Sequence, residues 1–408
     1  MPSIDRCRSC EATTLETVLD LGVTPLANAL LDGHELTGDE LSFPLKLVRC
    51  PACTLLQLTE NVPGDVLFRR YNYRSSFSDT FLRHCETLAR RIVDERKLGK
   101  DSLVVDIASN DGYLLQYYKA AGIGILGVEP ATNIAEIAVQ KGIETRNAFF
   151  TESEAKEIVA ERGNADVVHA HNVMPHVENQ RDFAAGIAAL IKPTGVAIIE
   201  FAYALDTIDH TEFDQVYHEH KCYFSLTSFK RLCAQFGLDV VRVERLAIHG
   251  GSLRVFLARA GAPVDSTVPQ MLKQEEAWGV STPVPYALFA ERTEQRKRDL
   301  LKLLKDLRAQ GKRIAVYGAS AKGATLMGYC GIGKDLVDYI VDRSTLKIGK
   351  FTPGTHLEIK PVEFLLEDKP DYVLLLTWNF ADEIMEQQRA FREAGGKFIV
   401  PVPEIRIA

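Results

Sequence analysis

The chain has 408 residues, of which 46% are hydrophobic and 25% are charged, as in an ordinary globular protein. Because one hydrophobic core rarely serves more than about 250–300 residues, this length predicts two or three domains. The formal net charge of −7 argues against a nucleic-acid partner, since no general basic surface is available to meet phosphates. No apolar stretch approaches the roughly 20 residues that cross a bilayer, and the N-terminus lacks the apolar region of a signal peptide. We therefore expect a cytoplasmic protein with no membrane partner.

Eight cysteines occur in the chain, and disulfides are rare in the cytosol. Four of them form two C-x-x-C pairs. Each pair suits a tight turn that presents two thiolates to one ion, and two such turns complete the tetrahedral site of structural zinc. A redox-active pair is the alternative, but no thioredoxin-like strand and helix surround either pair. We predict a structural Zn²⁺ held by Cys7, Cys10, Cys50 and Cys53. The remaining four are expected to be packing residues: Cys85, Cys222, Cys233 and Cys330.

The rest of the chain alternates strand-length apolar runs with helical patterns, which predicts mostly parallel sheets covered on both faces. Apolar runs occur at 103–107, 125–128, 167–170 and 196–201. The four prolines within 263–286 indicate a connection, a charged helix follows at about 288–310, and a second strand–loop–helix pattern begins at Lys312. The predicted fold class is α/β, with an N-terminal zinc-binding module (1–70), a Rossmann-like domain (71–262) and a second Rossmann-like C-terminal domain (263–408).

The loop D-I-A-S-N-D-G at 106–112 follows a predicted strand and precedes a helix, as nucleoside-binding loops do, although it lacks the G-x-G-x-x-G spacing. Asp106 and Asp111 would be unfavourable beside a pyrophosphate. They would suit a ligand that carries a sulfonium and an α-ammonium group, and S-adenosylmethionine has both. Ala108 and Asn110 stand where glycines are usual. Alanine is small, asparagine tolerates the left-handed conformation, and Gly112 remains.

Glu129 ends the next predicted strand in the run I-L-G-V-E-P. A carboxylate at that place can accept hydrogen bonds from both ribose hydroxyls of a nucleoside cofactor. Asn147, Ala148 and Phe149 follow the third strand and are candidates to flank the adenine. The alternative is a generic strand–helix turn with surface acids. We predict that this loop and Glu129 bind S-adenosylmethionine.

Histidine clusters in the middle of the chain, where six of the ten histidines lie between residues 169 and 220. The segment Y-H-E-H occupies 217–220. Imidazole is the commonest general base near neutral pH, and tyrosine hydroxyls donate to a developing oxyanion, so the segment predicts a proton abstraction. A second metal site is the alternative, because His218 and His220 would face the same side of a strand. No further well-spaced ligand accompanies them.

Taken together in chain order, these motifs resemble the sugar C-methyltransferases of antibiotic deoxysugar pathways, and most closely the C-3′-methyltransferases of D-tetronitrose biosynthesis. The resemblance covers essentially the whole chain. Its motifs are the two C-x-x-C pairs, Y-N-Y-R-S-S-F-S (71–78), V-D-I-A-S-N-D-G-Y-L-L (105–115), G-V-E-P (127–130), H-N-V-M-P-H (171–176), Y-H-E-H (217–220), H-G-G-S-L-R (249–254) and Y-G-A-S-A-K-G (317–323).

The resemblance implies a three-domain enzyme that methylates C-3′ of a thymidine-diphospho (dTDP) 3-amino-4-keto-2,3,6-trideoxyglucose. It implies His220 as the base and places Tyr217 and Tyr71 around the reacting sugar. Glu219 and His176 would support these three. The chemistry agrees, because the 4-keto group acidifies the C-3′ proton and the resulting enolate can attack a sulfonium methyl group held in line.

The second loop, 317–323, joins a strand to a helix and is a candidate diphosphate site, although it is not a Walker motif. Its backbone amides, hydroxyl and lysine are the donors such a site needs, and a tight turn with an exposed lysine is the alternative. The resemblance favours phosphate binding. The candidate substrate-binding residues are Asn172, Ser320, Lys322 and Gly323.

Two rival functions remain open at this stage. The first is an NAD-dependent nucleotide-sugar oxidoreductase, with its cofactor at 318–323 and Asp342 on the ribose. The second is a non-catalytic zinc protein that binds nucleotide sugars, which has no need for a base and oxyanion donors together. For any of the three functions we expect a monomer.

Overall fold

The computed structural model describes residues 3–68, 74–77, 79–248 and 250–408. Tyr71 and His249, which belong to two of the motifs above, lie outside the described residues. Within the described part of the chain, the strands form three sheets. No helix in these ranges is long and apolar enough to cross a membrane.

The first sheet is antiparallel and lies at the N-terminus. Its strands and the short helix after them are β1 (Glu16–Pro25), β2 (Ser42–Arg49), β3 (Leu56–Leu58) and α1 (Gly64–Phe68). A fourth strand, β9 (Cys222–Tyr223), comes from a much later part of the chain and completes the order β1-β2-β3-β9. The polypeptide just before β9 is therefore fixed to this N-terminal sheet.

The second sheet is the predicted Rossmann-like domain, which is confirmed. Its strands are β4 (Leu103–Ile107), β5 (Gly124–Val128), β6 (Thr145–Arg146), β7 (Ala165–His171), β8 (Ile191–Ala202), β10 (Leu238–Leu246) and β11 (Ser252–Arg259). Its helices are α2 (Asp79–Arg96), α3 (Leu115–Ala120), α4 (Thr132–Gln140), α5 (Glu152–Arg162), α6 (Gln180–Leu190), α7 (Ala204–Asp209) and α8 (Leu226–Ala234). The strand order is β10-β11-β8-β7-β4-β5-β6, with β4 to β8 parallel. The loops after β4, β5 and β7 therefore meet at one edge.

The third sheet repeats this design on a smaller scale, as predicted. Its elements are α10 (Val284–Ala309), β12 (Ile314–Tyr317), α11 (Ala321–Cys330), β13 (Ile340–Asp342), β14 (Ile359–Pro361), α12 (Phe364–Asp368), β15 (Tyr372–Leu375), α13 (Ala381–Gln387), α14 (Arg389–Glu393), β16 (Lys397–Val400) and β17 (Arg406–Ile407). The order is β14-β13-β12-β15-β16-β17, and only β17 is antiparallel to its neighbour.

The region 263–286, predicted to be a plain connection, contains the helix α9 (Thr267–Trp278), so that prediction is wrong. Pro269 occupies the first turn of this helix, where a backbone N–H has no partner within the helix and a proline is tolerated. The helix also has a structural role. Its buried Glu275 accepts hydrogen bonds from the backbone amides of Leu226 and Thr227, at 2.6 and 2.7 Å, and so caps the start of α8.

The packing of the N-terminal sheet ties the other two sheets together. Leu47 of β2 belongs to the same buried apolar cluster as Leu374 of the third sheet. Cys50, at the end of β2, belongs to a second cluster with Val168 of β7. The small first sheet buries little apolar surface of its own, so its contacts with both neighbours stabilise its position.

Candidate functional site

The four predicted zinc ligands lie together. The Sγ atoms of Cys7, Cys10, Cys50 and Cys53 all lie within 4.8 Å of one another. Cys7 Sγ is 3.5 Å from Cys53 Sγ, and the amide of Gln57 donates a hydrogen bond to Cys7 Sγ at 3.2 Å. Four thiolates at this spacing match a tetrahedral zinc site with no open coordination position, and the amide donor matches the second layer that orients such ligands. The site is therefore structural.

The loop after β4 has an unusual backbone. Ala108, Asn110 and Gly112 adopt left-handed conformations, with φ of 53°, 49° and 80°. A Cβ added to Gly112 would lie 2.6 Å from the side chain of Ile143, so only glycine fits there. Left-handed alanine costs roughly 1–2 kcal/mol, and such strain persists where the surrounding structure requires it, often at ligand sites.

Asp106, at the end of β4, is fully buried, and neither of its carboxylate oxygens has a hydrogen-bond partner among the described residues. Burial raises the pKa of this carboxyl well above its usual value. A buried carboxylate without a partner is costly, and a cationic ligand would relieve that cost. The orphaned oxygens of Asp106 thus fit the positive charges of S-adenosylmethionine.

Glu129 directly follows β5 and lies beside the same loop. Its carboxylate accepts the backbone amides of Asn110 and Ala131 at 2.9 and 2.8 Å, and burial raises its pKa to about 7. Asn147 donates to the carbonyl oxygen of Glu129 at 2.8 Å, so the segment with Ala148 and Phe149 lies next to this carboxylate. The structure thus brings together the carboxylate predicted to bind the ribose and the segment predicted to flank the adenine.

Asp111 is placed differently from Asp106, because its carboxylate already has partners. Lys141 donates to Asp111 Oδ2 at 2.8 Å, and the hydroxyl of Ser76 also contacts this oxygen. The backbone amide of Ser75 donates to Asn110 Oδ1 at 2.9 Å. The described residues 74–77 therefore lie against the cofactor loop.

The Y-H-E-H segment forms a turn just before β9, and its hydrogen bonds define the tautomer of His220. Tyr217 Oη lies 2.7 Å from His220 Nε2, and His220 Nδ1 lies 3.1 Å from the backbone carbonyl oxygen of Gln215. A carbonyl oxygen only accepts, so Nδ1 carries the hydrogen and Nε2 holds the lone pair that accepts from the tyrosine. When the His220 ring is neutral, its basic Nε2 therefore lies beside the hydroxyl of Tyr217.

Glu219 and His176 surround this pair. The Glu219 carboxylate accepts a hydrogen bond from the amide of Asn28 at 2.5 Å, and burial raises its pKa to about 7. The edge of the His176 ring packs against the ring of His220, with centroids 4.8 Å apart, and burial lowers its pKa to about 4. Asn172, with φ of 56°, begins the short segment that delivers His176 from the end of β7.

In the second loop, Ser320 caps α11 by accepting the amide of Gly323 at 3.1 Å. The alternative of an exposed lysine is wrong, because the amino nitrogen of Lys322 is buried and has no hydrogen-bond partner among the described residues. This nitrogen lies 4.8 Å from the centre of the Trp378 ring, and Trp378 donates to Asp214 at 2.6 Å. Burial raises the pKa of Asp214 to about 6, and the positive charge of Lys322 nearby opposes that shift.

The segment around Asn28 links the two loops. Asn28 donates to Glu219 on one side, and its neighbour Ala27 lines a small cavity with Gly318 and Ser320 on the other. The sequence does predict Trp378, on a strand-end loop, as a residue that lines the same cleft or packs in the core. It gives no sign of Asn28 or Asp214, because single polar residues in loops far apart in sequence carry no local signal.

The clustered histidines divide into groups with different partners. His169 and His171 join a buried chain of hydrogen bonds inside the central sheet, with Tyr118 Oη 2.8 Å from His169 Nε2 and His169 Nδ1 2.9 Å from His171 Nε2. His171 Nδ1 lies 3.2 Å from Glu200. His176, on the segment after β7, instead packs against His220 of the Y-H-E-H turn. Within the described ranges, the four cysteines are the only group of potential ligands close enough to share an ion, so the second metal site finds no support.

Comparisons with known proteins agree with this geometry. Family models match residues 7–68 ("Putative zinc binding domain"), 80–243 ("Methyltransferase domain") and 247–403 ("C-methyltransferase C-terminal domain"). The C-methyltransferase NovU of Streptomyces niveus is 37% identical over 99% of this chain and 97% of its own length. A ubiquinone biosynthesis O-methyltransferase of Rhodopseudomonas palustris (strain TIE-1) is 30% identical over 24% of this chain and 38% of its own.

Among solved structures, the magnesium protoporphyrin IX methyltransferase ChlM of Synechocystis PCC 6803 with bound SAH is similar, with 16% identity and a TM-score of 0.34. It covers 44% of this chain and 83% of that one. The full-length match to NovU and the three consecutive family models decide the family. The chain therefore belongs to the C-methyltransferase family and is a zinc-binding, S-adenosylmethionine-dependent methyltransferase.

Proposed function

We propose that this enzyme methylates C-3′ of a dTDP-linked 3-amino-4-keto-2,3,6-trideoxyglucose in an antibiotic deoxysugar pathway. The observation that carries the proposal is the hydrogen bond between Tyr217 Oη and His220 Nε2, with the Nδ1 hydrogen of His220 held by a backbone carbonyl. This arrangement places an imidazole nitrogen and a phenolic hydroxyl side by side, as a base and a donor. An acceptor carbon next to a ketone needs both groups.

In the proposed reaction, His220 Nε2 takes the C-3′ proton and becomes an imidazolium. The two electrons of the C–H bond move into the enolate, whose negative charge rests on O-4′ and is stabilised by the hydroxyl of Tyr217. Bound S-adenosylmethionine supplies the methyl group that C-3′ takes up, with cleavage of its methyl–sulfur bond and return of the ketone. Asp106 and Glu129 would hold that cofactor by its cationic groups and its ribose.

The neighbours of His220 suit this cycle. Because burial lowers the pKa of His176 to about 4, its ring is neutral near pH 7 and places no positive charge beside the forming imidazolium. Glu219 is held by Asn28 and supports the turn that carries His220. Tyr71 would complete the sugar site, as the resemblance implies.

The diphosphate would bind at the start of α11. Backbone amides at a helix N-terminus and a lysine ammonium favour phosphate oxygens, and Lys322 has a buried amino nitrogen without a hydrogen-bond partner in the described structure. Ser320, Gly323 and, near the sugar, Asn172 would complete the contacts. The proposed domain bounds are 1–70 for zinc, 71–262 for the cofactor and 263–408 for the nucleotide sugar.

The test is mass spectrometry of the dTDP-3-amino-4-keto sugar after incubation with enzyme and S-adenosylmethionine. We expect a product one methylene unit heavier, with the new carbon on C-3′. In heavy water without the methyl donor, the same sugar should exchange its C-3′ proton. The absence of both methyl transfer and proton exchange would reject this acceptor.

The oxidoreductase alternative predicts reduction of NAD by the sugar nucleotide. Its expected ribose acceptor, Asp342, accepts the backbone amide of Ala319 at 2.8 Å, much as Glu129 accepts that of Asn110. In each Rossmann-like sheet, an acid near the end of a strand thus accepts a backbone amide of the neighbouring loop. Membership of the C-methyltransferase family favours methyl transfer over oxidation as the function. Formation of NADH without methyl transfer would favour the oxidoreductase function instead.

A further inference from the structure

Two side chains converge on one backbone oxygen just before the Y-H-E-H segment. The carbonyl oxygen of Gln215 accepts a hydrogen bond from His220 Nδ1 at 3.1 Å and one from the hydroxyl of Tyr223, on β9, at 3.0 Å. A carbonyl oxygen has two lone pairs, so these two donors use both of them. Burial raises the pKa of Tyr223 well above its usual value, so its hydroxyl keeps the hydrogen that it donates. The direction of this carbonyl therefore determines how the ring of His220 is held.

The side chain of the same Gln215 is fixed by a buried carboxylate. Its amide nitrogen donates to Glu212 Oε2 at 2.8 Å, and Glu212 and Gln215 are only 1% and 3% exposed. The backbone amide of Gln215 also donates to the carbonyl oxygen of Glu212, at 3.0 Å. Rotation of the Gln215 backbone would leave a buried amide without an acceptor, and such a group is costly. Glu212 thus fixes the residue whose carbonyl holds His220.

The residues between these two are fixed from the third sheet. Asp214 accepts a hydrogen bond from the indole of Trp378 at 2.6 Å. The ring of Phe213 packs edge-on against the ring of Tyr329 on α11, with centroids 5.5 Å apart. The short 3-10 helix that contains them, Phe213–Gln215, is therefore held at both its side chains and its backbone.

The H-G-G-S-L-R motif, which the proposed reaction does not use, leaves the space that the Glu212 carboxylate occupies. Gly250 has φ of 91°, and a Cβ added there would lie 2.7 Å from Glu212 Oε1 and 2.9 Å from Glu212 Oε2. Any other side chain at position 250 would have to displace this carboxylate, and it would also strain the left-handed backbone. The loop before β11 therefore packs directly on Glu212 and confines it.

We infer that Glu212 is a positioning residue for the proposed base. Through the side chain of Gln215 it fixes the carbonyl oxygen that holds the Nδ1 hydrogen of His220, and this places the lone pair of the neutral ring on Nε2. In serine proteases a carboxylate holds the far nitrogen of the catalytic histidine directly, with the same effect on the tautomer. The inference rests on the proposed function, because it assigns His220 as the base.

The test is nitrogen-15 NMR of the His220 ring in the full-length zinc-loaded protein, with His220→Asn to assign its signals. The chemical shifts distinguish the ring nitrogen that carries hydrogen from the one that does not. For the neutral ring we expect the Nδ1–H form in the unaltered protein and in Glu212→Gln, which keeps an oxygen acceptor for Gln215. In Glu212→Ala we expect a mixture of the two tautomers. The control is Glu275→Gln, since Glu275 is also buried but caps α8.

Kinetics give a second readout. We expect Glu212→Ala to reduce kcat and the rate of C-3′ proton exchange by about 10–100-fold, because a ring in the wrong tautomer cannot take the proton at Nε2. The KM for the sugar nucleotide and the affinity for S-adenosylhomocysteine should stay within about twofold, since neither ligand loses a contact. We expect Glu212→Gln and Glu275→Gln to keep most of their kcat.

Gly250→Ala displaces the carboxylate while Glu212 itself is kept, and it provides the test if Glu212→Ala does not fold. Gly261→Ala is its matched control, because Gly261 also has φ of 91° but no atom lies within 4 Å of its added Cβ. The two variants share the backbone strain, and only one of them has the clash. We expect mixed tautomers and a reduced kcat in Gly250→Ala and neither change in Gly261→Ala.

A single Nδ1–H tautomer in both Glu212→Ala and Gly250→Ala would overturn the inference, whatever their kcat, and so would equal changes in the two controls. The inference and the proposed function fail separately. Mixed tautomers in Glu212→Ala, in a protein that does not methylate the sugar, would keep the positioning of His220 and reject the reaction. Methyl transfer that is lost in His220→Asn but unchanged in Glu212→Ala would keep the reaction and remove the role of Glu212.

Discussion

Gln57 lies opposite Cys222 in the antiparallel pair that joins β3 to β9, and the same Gln57 side chain donates to the zinc ligand Cys7. Cys222 follows His220 by only two residues. One side chain therefore connects the metal site to the strand that follows the proposed base. The zinc module is therefore a structural part of the proposed active site, because it provides the sheet that the strand after the Y-H-E-H turn joins.

This connection predicts that loss of zinc abolishes methyl transfer. Cys50→Ser should lower zinc content and reduce kcat by about 100-fold or more, because structural zinc contributes folding free energy directly. The affinity for S-adenosylhomocysteine should change much less than kcat, since its proposed site lies on the central sheet. The control is Cys233→Ala, which alters a buried cysteine that is not a ligand and should cost only about 1 kcal/mol of stability. Full activity in a zinc-free protein would contradict this prediction.

His220→Asn should reduce kcat by about 10²–10⁴-fold while cofactor binding stays intact, because it removes a general base. Tyr217→Phe keeps the ring but removes the hydroxyl that contacts Nε2, and it should reduce kcat by about 10²–10³-fold. Proton exchange at C-3′ in heavy water distinguishes the two roles. It should vanish in His220→Asn and persist, more slowly, in Tyr217→Phe, and normal exchange in His220→Asn would assign the base elsewhere.

Cofactor affinity should depend on pH through Glu129. In the folded protein burial raises the pKa of this carboxyl to about 7, from an ordinary value of 4.5. Only the ionised form accepts both ribose hydroxyls, so the affinity for S-adenosylhomocysteine should rise with pH up to about 7 and then level off. Calorimetry across this range should show a flatter profile, and weaker binding, for Glu129→Gln. If cofactor affinity depended equally steeply on pH in Glu129→Gln, the titrating group would be Asp106 instead.

The raised pKa of Glu129 also makes the stability of the protein depend on pH, in the opposite direction to cofactor affinity. Because the folded cofactor-free protein holds this proton more tightly than the unfolded chain, Glu129 contributes stability that is present below pH 4.5 and is lost as the pH rises through about 7. Comparison of Glu129→Gln with the unaltered protein in denaturant titrations isolates this contribution. Between pH 4.5 and about 7, the unfolding free energy of Glu129→Gln should rise relative to that of the unaltered protein.

Gly112→Ala should weaken cofactor binding and destabilise the protein by more than about 1 kcal/mol, because the residue has φ of 80° and an added Cβ would lie 2.6 Å from Ile143. Gly122→Ala is the matched control, with φ of 74° but no atom within 4 Å of the added Cβ. Denaturant unfolding of both variants separates the backbone strain they share from the clash that only Gly112→Ala has. Equal losses of unfolding free energy in Gly112→Ala and Gly122→Ala would mean that Ile143 moves aside freely.

Local patterns in the sequence determined much of this protein. Two C-x-x-C pairs predict the zinc ligands because metal chemistry restricts both residue type and spacing, and the structure brings those four Sγ atoms together. The alternation of strands and helices predicts both Rossmann-like sheets because hydrophobic periodicity is a local property. The acids of the first loop indicate the cofactor, which the family confirms. The catalytic residues remain predictions, and Tyr71 lies outside the described residues.

Tertiary structure alone decided how these parts meet. The pairing of β3 with β9 joins residues more than 160 positions apart. No local pattern specifies such a partner, because backbone hydrogen bonds are the same for every strand. The sequence likewise left the Lys322 amino group on the surface as an alternative, and it missed α9 because prolines in a first turn resemble prolines in a loop. Periodicity and motif chemistry are properties of neighbouring residues, whereas burial and pairing depend on the whole folded chain.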